Sequence, residues 1–203
     1  MRTVLVPAIR LARWLENFES RHGPYTLAMD PLTATAEDGS VATITGPFDT
    51  PVTVVPPVLP ELAWGLLIVR KGGFAVTAGT TPTPTVRKIG RRHVQGRSKA
   101  GGQSQQRFAR RRDNQARDAY AAAADHAFRI LVQEHPIEVL VCGGDRTAID
   151  TVLADPRLRG LVDKVTGPWL DVPDPNAAIL ARAVEDAWSC RVHIEESSVG
   201  DLP

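Results

Sequence analysis

Gly101, Gly102 and Gln103 form a tripeptide whose atoms can position a reactant but cannot attack one. Two residues without a Cβ let the backbone take conformations closed to other residues and come close to a ligand. Gln103 adds a backbone N–H and an amide that both donates and accepts. None of these groups is a nucleophile or a base at pH 7. Chemistry here therefore works by holding a water and stabilising developing oxyanion charge, with the remaining catalytic groups supplied by the partner. The tripeptide alone is a weak signal, and its surroundings give it weight.

Those surroundings are basic. From Leu62 to Arg112 the chain has no Asp or Glu, yet this stretch holds 12 of the 24 Lys and Arg, so it carries +12 and the remainder −11. The net charge of +1 hides this division. A block of one sign is the electrostatic footprint of a phosphate-binding surface. The residues expected on RNA are Arg87, Lys88, Arg91, Arg92, His93, Arg97, Lys99, Ser104, Arg107, Arg110, Arg111 and Arg112. The bland alternative is a solvated basic face.

The elements that must carry these residues read as α/β. Trp64–Arg70 and Phe74–Ala78 flank Lys71-Gly72-Gly73 as a hairpin whose glycines would supply positive φ angles. Thr80 to Ala100, with Thr81-Pro82-Thr83-Pro84-Thr85 and then a basic run, lacks apolar periodicity and is expected to be an exposed, mobile arm. From Ser104 to about Gln133 there is no Pro or Gly, and Phe108, Ala119, Tyr120, Ala123, Ala127, Ile130 and Leu131 give a broad apolar helical face. About 30 residues at ~1.5 Å each predict a rod of roughly 45 Å. Arg107 and Arg110 to Arg112 in its first turns have the wrong sign for the macrodipole, which fits a site where an anion docks.

Ile137–Cys142 reads as a buried strand, Arg146–Leu153 as a helix with Asp145 as its N-cap, Leu180–Trp188 as another helix and Arg191–Ile194 as a last strand. Together they predict a mixed sheet with flanking helices. Upstream, Pro7 to His22 reads as an amphipathic helix stopped by Gly23-Pro24, and Tyr25 to Val55 as a small β element containing Thr26–Met29 and Val41–Ile44. The division expected is 1–60, a helix and small β element packed on the core, and 61–203, the catalytic domain.

At 203 residues and 43% hydrophobic content the chain can bury a proper core. Cys142 and Cys190 suggest no disulfide framework or zinc site, and no signal peptide or membrane span is readable, so a cytoplasmic, soluble monomer with no membrane partner is expected. No cofactor and no metal are expected. Trp64, Trp169 and Trp188 read as core anchors, His126 and His135 as polar-face or capping residues and His193 as a satisfied core or edge histidine.

The run Gly101-Gly102-Gln103-Ser104, then Arg107-Phe108-Ala109-Arg110 and Arg112, resembles the signature of the central, peptidyl-tRNA-hydrolysing domain of eukaryotic and archaeal class I translation termination factors. Gly65–Gly79 resembles that domain's opening hairpin and Ile137–Asp145 its later strand. Asp155–Leu158 and Asn176–Ile179 occupy comparable places. The resemblance covers roughly Leu62 to Ile194; a codon-reading domain and a GTPase-binding domain are not recognisable, and residues 1–60 look unrelated. The chain looks most like the compact actinobacterial branch of Vms-like release factors (VLRF type). The resemblance implies a ribonuclease-H-like α/β fold and a peptidyl-tRNA hydrolase that rescues stalled nascent chains on the large ribosomal subunit. Gly101, Gly102 and Gln103 would enter the peptidyl-transferase centre beside the terminal adenosine of tRNA.

Three other readings stay open. The parent branch makes cleavage of the tRNA strand near its 3′ end an alternative to ester hydrolysis. A non-catalytic ribosome- or RNA-binding protein would use the basic arm equally well, but leaves the tripeptide without a reason. A metal-dependent nuclease needs carboxylates converging from strand ends, and only Glu138, Asp145 and Glu195 offer themselves.

Overall fold

The first and last strands of the chain lie side by side. In the computed structural model, which describes residues 1–91 and 117–197, β1 (Arg2–Pro7) pairs antiparallel with β10 (Ser189–Glu195), Thr3 opposite His193. β10 also pairs with β4 (Val41–Thr45), and β3 (Leu32–Ala36) and β2 (Tyr25–Met29) complete a sheet ordered β1-β10-β4-β3-β2. The last strand expected in the central mixed sheet therefore belongs to this one. Alternating apolar residues explain the placement: Cys190, Val192 and Ile194 bury one face beside Val6, Ala42 and Ile44.

α1 (Leu11–His22) packs Leu11, Leu15 and Phe18 into that core. A 3-10 turn, Ala8–Arg10, precedes it, so Pro7 ends a strand and does not open the helix. Gly23, with φ 86°, caps its C-terminus as the sequence suggests.

The second sheet runs β7-β6-β5-β8-β9. β5 (Trp64–Arg70) and β6 (Gly73–Gly79) form the expected hairpin, Arg70 opposite Gly73. β5 is buried along nearly its whole length because β8 (Val139–Gly144) pairs parallel with it on the other side. β9 (Val165–Leu170), unexpected from its Gly167-Pro168, continues the sheet in parallel. Neither hairpin glycine has positive φ. At Gly72 a Cβ would lie 2.7 Å from Asp174 Oδ2, the end of an exposed side chain that can turn away.

The helix described from residue 117, α2, is α-helical to 128 and continues as a π-helical stretch, Arg129–Glu134. Its Ala123, Ala127, Ile130 and Leu131 pack with Leu67, Val69, Phe74 and Val76 of the hairpin. The first half of the expected rod, residues 104–116, lies outside the described residues. α3 (Arg146–Leu153) follows β8, with the Asp145 carboxylate accepting from Ala148 N at 3.2 Å. α4 (Ala177–Ala187) begins at Asn176, whose side chain accepts from Ala178 N and Ile179 N.

By its contacts the chain forms two units, residues 62–184 and residues 1–61 with 185–203. Each has its own apolar core. Among the described residues no helix is long and apolar enough to cross a membrane.

Candidate functional site

The tripeptide segment is held between two described anchors. It leaves β7 (Val86–Arg91) and returns in α2. Thr80 to Ala100 was expected as a free arm, but residues 86–91 pair with β6, from Ala78 opposite Val86 to Gly73 opposite Arg91. Three further bonds fasten the turn before the strand. Thr85 N donates to Ala78 O at 2.9 Å, Thr77 Oγ1 to Val86 O at 2.5 Å and Trp64 Nε1 to Thr81 O at 2.9 Å. Pairing satisfies backbone groups that a basic, aperiodic sequence cannot satisfy alone.

Of the expected RNA-contacting residues, Arg87, Lys88 and Arg91 are on this strand. Gly101, Gly102, Gln103, Arg92, His93, Arg97, Lys99, Ser104, Arg107, Arg110, Arg111 and Arg112 lie outside the described residues. The pleat separates neighbours: exposed Arg87 and exposed Lys88 fall on opposite faces of the sheet. β7 is an edge strand, where cations also guard against pairing with another chain.

Lys88 shares its face with α2, and a cationic cluster forms there. The imidazole of His126 stacks on Phe74, centroids 5.4 Å apart. Burial holds it below the usual histidine range, and the charges of Lys88 and Arg129 push it further down, against a weaker opposing pull from Asp125. Sequence reasoning took His126 for a polar-face or capping residue and did not single out Arg129, which pairs with Glu134 at 3.3 Å. Their three-residue spacing on a helix was the available signal.

Arg157 fastens the same helix. Its guanidinium reaches both oxygens of Asp155, at 3.0 and 2.7 Å, and Asp125 at 2.7 Å, and lies 5.5 Å from the centroid of Phe128. These bonds hold the Asp155 carboxyl down at about 2 and raise the guanidinium above its usual value. They connect the Asp155–Leu158 stretch to α2 by charge-assisted bonds of fixed geometry.

The carboxylates that a nuclease would need do not converge. Glu138 precedes β8, where Oε1 accepts from Ala63 N at 2.9 Å, and Asp145 follows β8 as the α3 cap. Six intervening strand residues put them about 20 Å apart, and Glu195 belongs to the other sheet. Among the described residues no group of three or more His, Cys, Asp or Glu could hold a metal. Both cysteines are buried and free; burial pushes Cys142 up to about 12 and Cys190 to about 11, so neither is a ready nucleophile. Trp64 and Trp188 are buried and Trp169 partly so, with Arg146 lying 4.2 Å over its ring. His193 Nδ1 bonds Thr3 Oγ1 at 2.8 Å.

Residues 62–193 match the family model acVLRF1, described as the Actinobacteria/chloroflexi VLRF1 release factor. The chain belongs to this family. The matched range contains the basic segment, the tripeptide and both anchors, and the resemblance carried by the sequence motifs is to the same group. No curated protein matches the chain. Among solved structures, the crystal structure of an archaeal translation termination factor, aRF1, superposes with a TM-score of 0.44 at 14% identity. The alignment covers 91% of this chain and 63% of that one.

Proposed function

We propose that this chain is a peptidyl-tRNA hydrolase that acts on the large ribosomal subunit to release stalled nascent chains. The observation that carries the reading is membership of a release-factor family over the residues that hold Gly101-Gly102-Gln103 in an acid-free, basic frame. In this reading the region from residue 61 onward is catalytic and of ribonuclease-H-like, release-factor central-domain type, residues 1–60 are accessory, and the protein works as a monomer in the cytoplasm.

The reaction asked of the tripeptide is simple in its balance. Water adds to the carbonyl carbon of the ester joining peptide to tRNA, and the ester C–O bond breaks. One water proton passes to the leaving 3′ oxygen and the other to solvent, and the products are a peptide carboxylate and a tRNA 3′-hydroxyl. Gly101 and Gly102 give the backbone the close approach, and Gln103 orients the water and donates to the oxyanion. Arg107, Arg110, Arg111 and Arg112, with Arg87, Lys88 and Arg91, meet the phosphates around the site. β7 and α2 are the rigid supports from which such a segment reaches its substrate.

The test is release of labelled nascent chain from large-subunit–peptidyl-tRNA complexes. Gln103→Ala and Gly102→Ala should each lower the rate at least tenfold with thermal unfolding unchanged. Activity within twofold of the unmodified chain, in a folded variant, ends the hydrolase reading.

A further inference from the structure

The part of the chain that precedes the matched segment, residues 1–61, carries a second surface built for an anionic polymer. Placed on a helix at 3.6 residues per turn, Arg10, Arg13, Trp14, Asn17 and Arg21 fall within about 100° of arc. Leu11, Leu15 and Phe18 occupy the buried side, and Glu16 and Glu19 lie beyond the stripe on its far flank. A groove of about 500 Å3 runs between Leu5 and Val6 of β1 and the side chains of Arg10, Arg13, Trp14 and Asn17. Trp14 and Asn17 also line an adjoining hollow of about 80 Å3 with Arg2 and Arg21. The only carboxylate paired with these four arginines among the ion pairs of the described residues is Glu196, 3.9 Å from Arg2, both side chains being more than half exposed.

This concentration runs against the local average, because the chain outside Leu62 to Arg112 carries −11. Its chemistry is also specific. Guanidinium forks match phosphate oxygens, and Asn17 can both donate to and accept from a base edge. Trp14 is half-buried, stacked on Phe18 at 5.5 Å, which fixes its ring among the arginines. A fixed aromatic among cations is the arrangement that holds single-stranded nucleic acid, by stacking bases while the charges follow the backbone. From Arg10 to Arg21 the stripe extends for about 16 Å, the axial length of roughly five stacked nucleotides.

We infer that this face of residues 1–61 is a second RNA-binding surface, taking a single-stranded segment of about five nucleotides with a base on Trp14. The inference rests on the ribosomal reading only for the source of that RNA; the surface itself is read from the unit formed by residues 1–61 and 185–203 alone.

The experiment uses the full chain carrying Arg110→Ala, Arg111→Ala and Arg112→Ala, which weakens the other basic region, and a labelled single-stranded RNA 12-mer as probe. Adding Arg10→Glu and Arg13→Glu should weaken binding at least tenfold and lower the salt slope by roughly 1.4, two phosphates at about 0.7 each. Ultraviolet cross-linking of the unmodified chain to the same RNA should place nucleotide on the tryptic peptide 14–21. Affinity unchanged within twofold, or cross-links confined to residues 62–112, overturns the proposal. Displacement by oligoglutamate at lower concentration than by unlabelled RNA also overturns it, in favour of an acidic protein partner. Nascent-chain release is scored in parallel. Loss of release in every assay with cross-linking at Trp14 retained sinks the hydrolase and keeps this surface; intact release without the cross-link does the reverse.

Discussion

His126 and Phe74 stack at 5.4 Å with their ring planes 29° apart, so α2 meets β6 one strand away from the basic edge β7. The contact puts a titratable ring beside Lys88 and Arg129. The charged imidazole is disfavoured in the folded protein, so this group's stabilising contribution is complete above the ordinary histidine pKa of about 6.5. It is lost as pH falls through the lowered folded value.

An NMR titration should therefore place the His126 inflection below 6.5, and Lys88→Ala should move it upward. Bound RNA phosphate near Lys88 should raise it as well. An inflection at or above the ordinary value, or a downward move in Lys88→Ala, would contradict the cluster.

Binding to the large subunit should weaken steeply with salt, log K falling by roughly 0.7 to 0.9 for each phosphate neutralised. Replacing Arg110, Arg111 and Arg112 by Ala should flatten that slope. Salt-independent binding by the unmodified chain would reduce the basic block to a solvated face.

The tRNA product distinguishes two chemistries. Ester hydrolysis leaves an intact 3′-terminal adenosine that can be recharged directly, whereas strand cleavage sends the terminal nucleotides away with the peptide. Sequencing the 3′ end of released tRNA should show the complete end, and a truncated end would replace the hydrolase by a nuclease while leaving a rescue role in place.

Gly144 ends β8 with φ 90°, and a Cβ there would run into Val69 O. Gly144→Ala should destabilise the protein by on the order of 1 to 3 kcal/mol through backbone strain alone. Its position between β8 and the α3 cap makes the loss global, so urea unfolding should shift to lower midpoint with little change in slope. A variant as stable as the original would mean that the turn relaxes.

What the sequence determined by itself was whatever depends on neighbours along the chain. The β5–β6 hairpin, the β8 run, the Asp145 cap of α3, the acid-free segment and the tripeptide with its arginines are all local patterns of polarity, charge and turn chemistry. Tertiary structure decided what depends on partners far away. Val86–Arg91 has no strand-like alternation, yet it becomes β7 because β6 offers an unpaired edge. Val165–Leu170 contains Gly167-Pro168, which reads as a turn, yet β8 draws it into the sheet. β10 reads as a strand from its residues, but only the fold assigns it to β1 and β4, joining Thr3 to His193 across 190 positions. The arginine stripe of α1 likewise stayed hidden among apolar positions, because a groove exists only once β1 lies beside the helix. Backbone hydrogen bonds between strands carry no record in either strand of which edge will be free. That choice belongs to the folded chain.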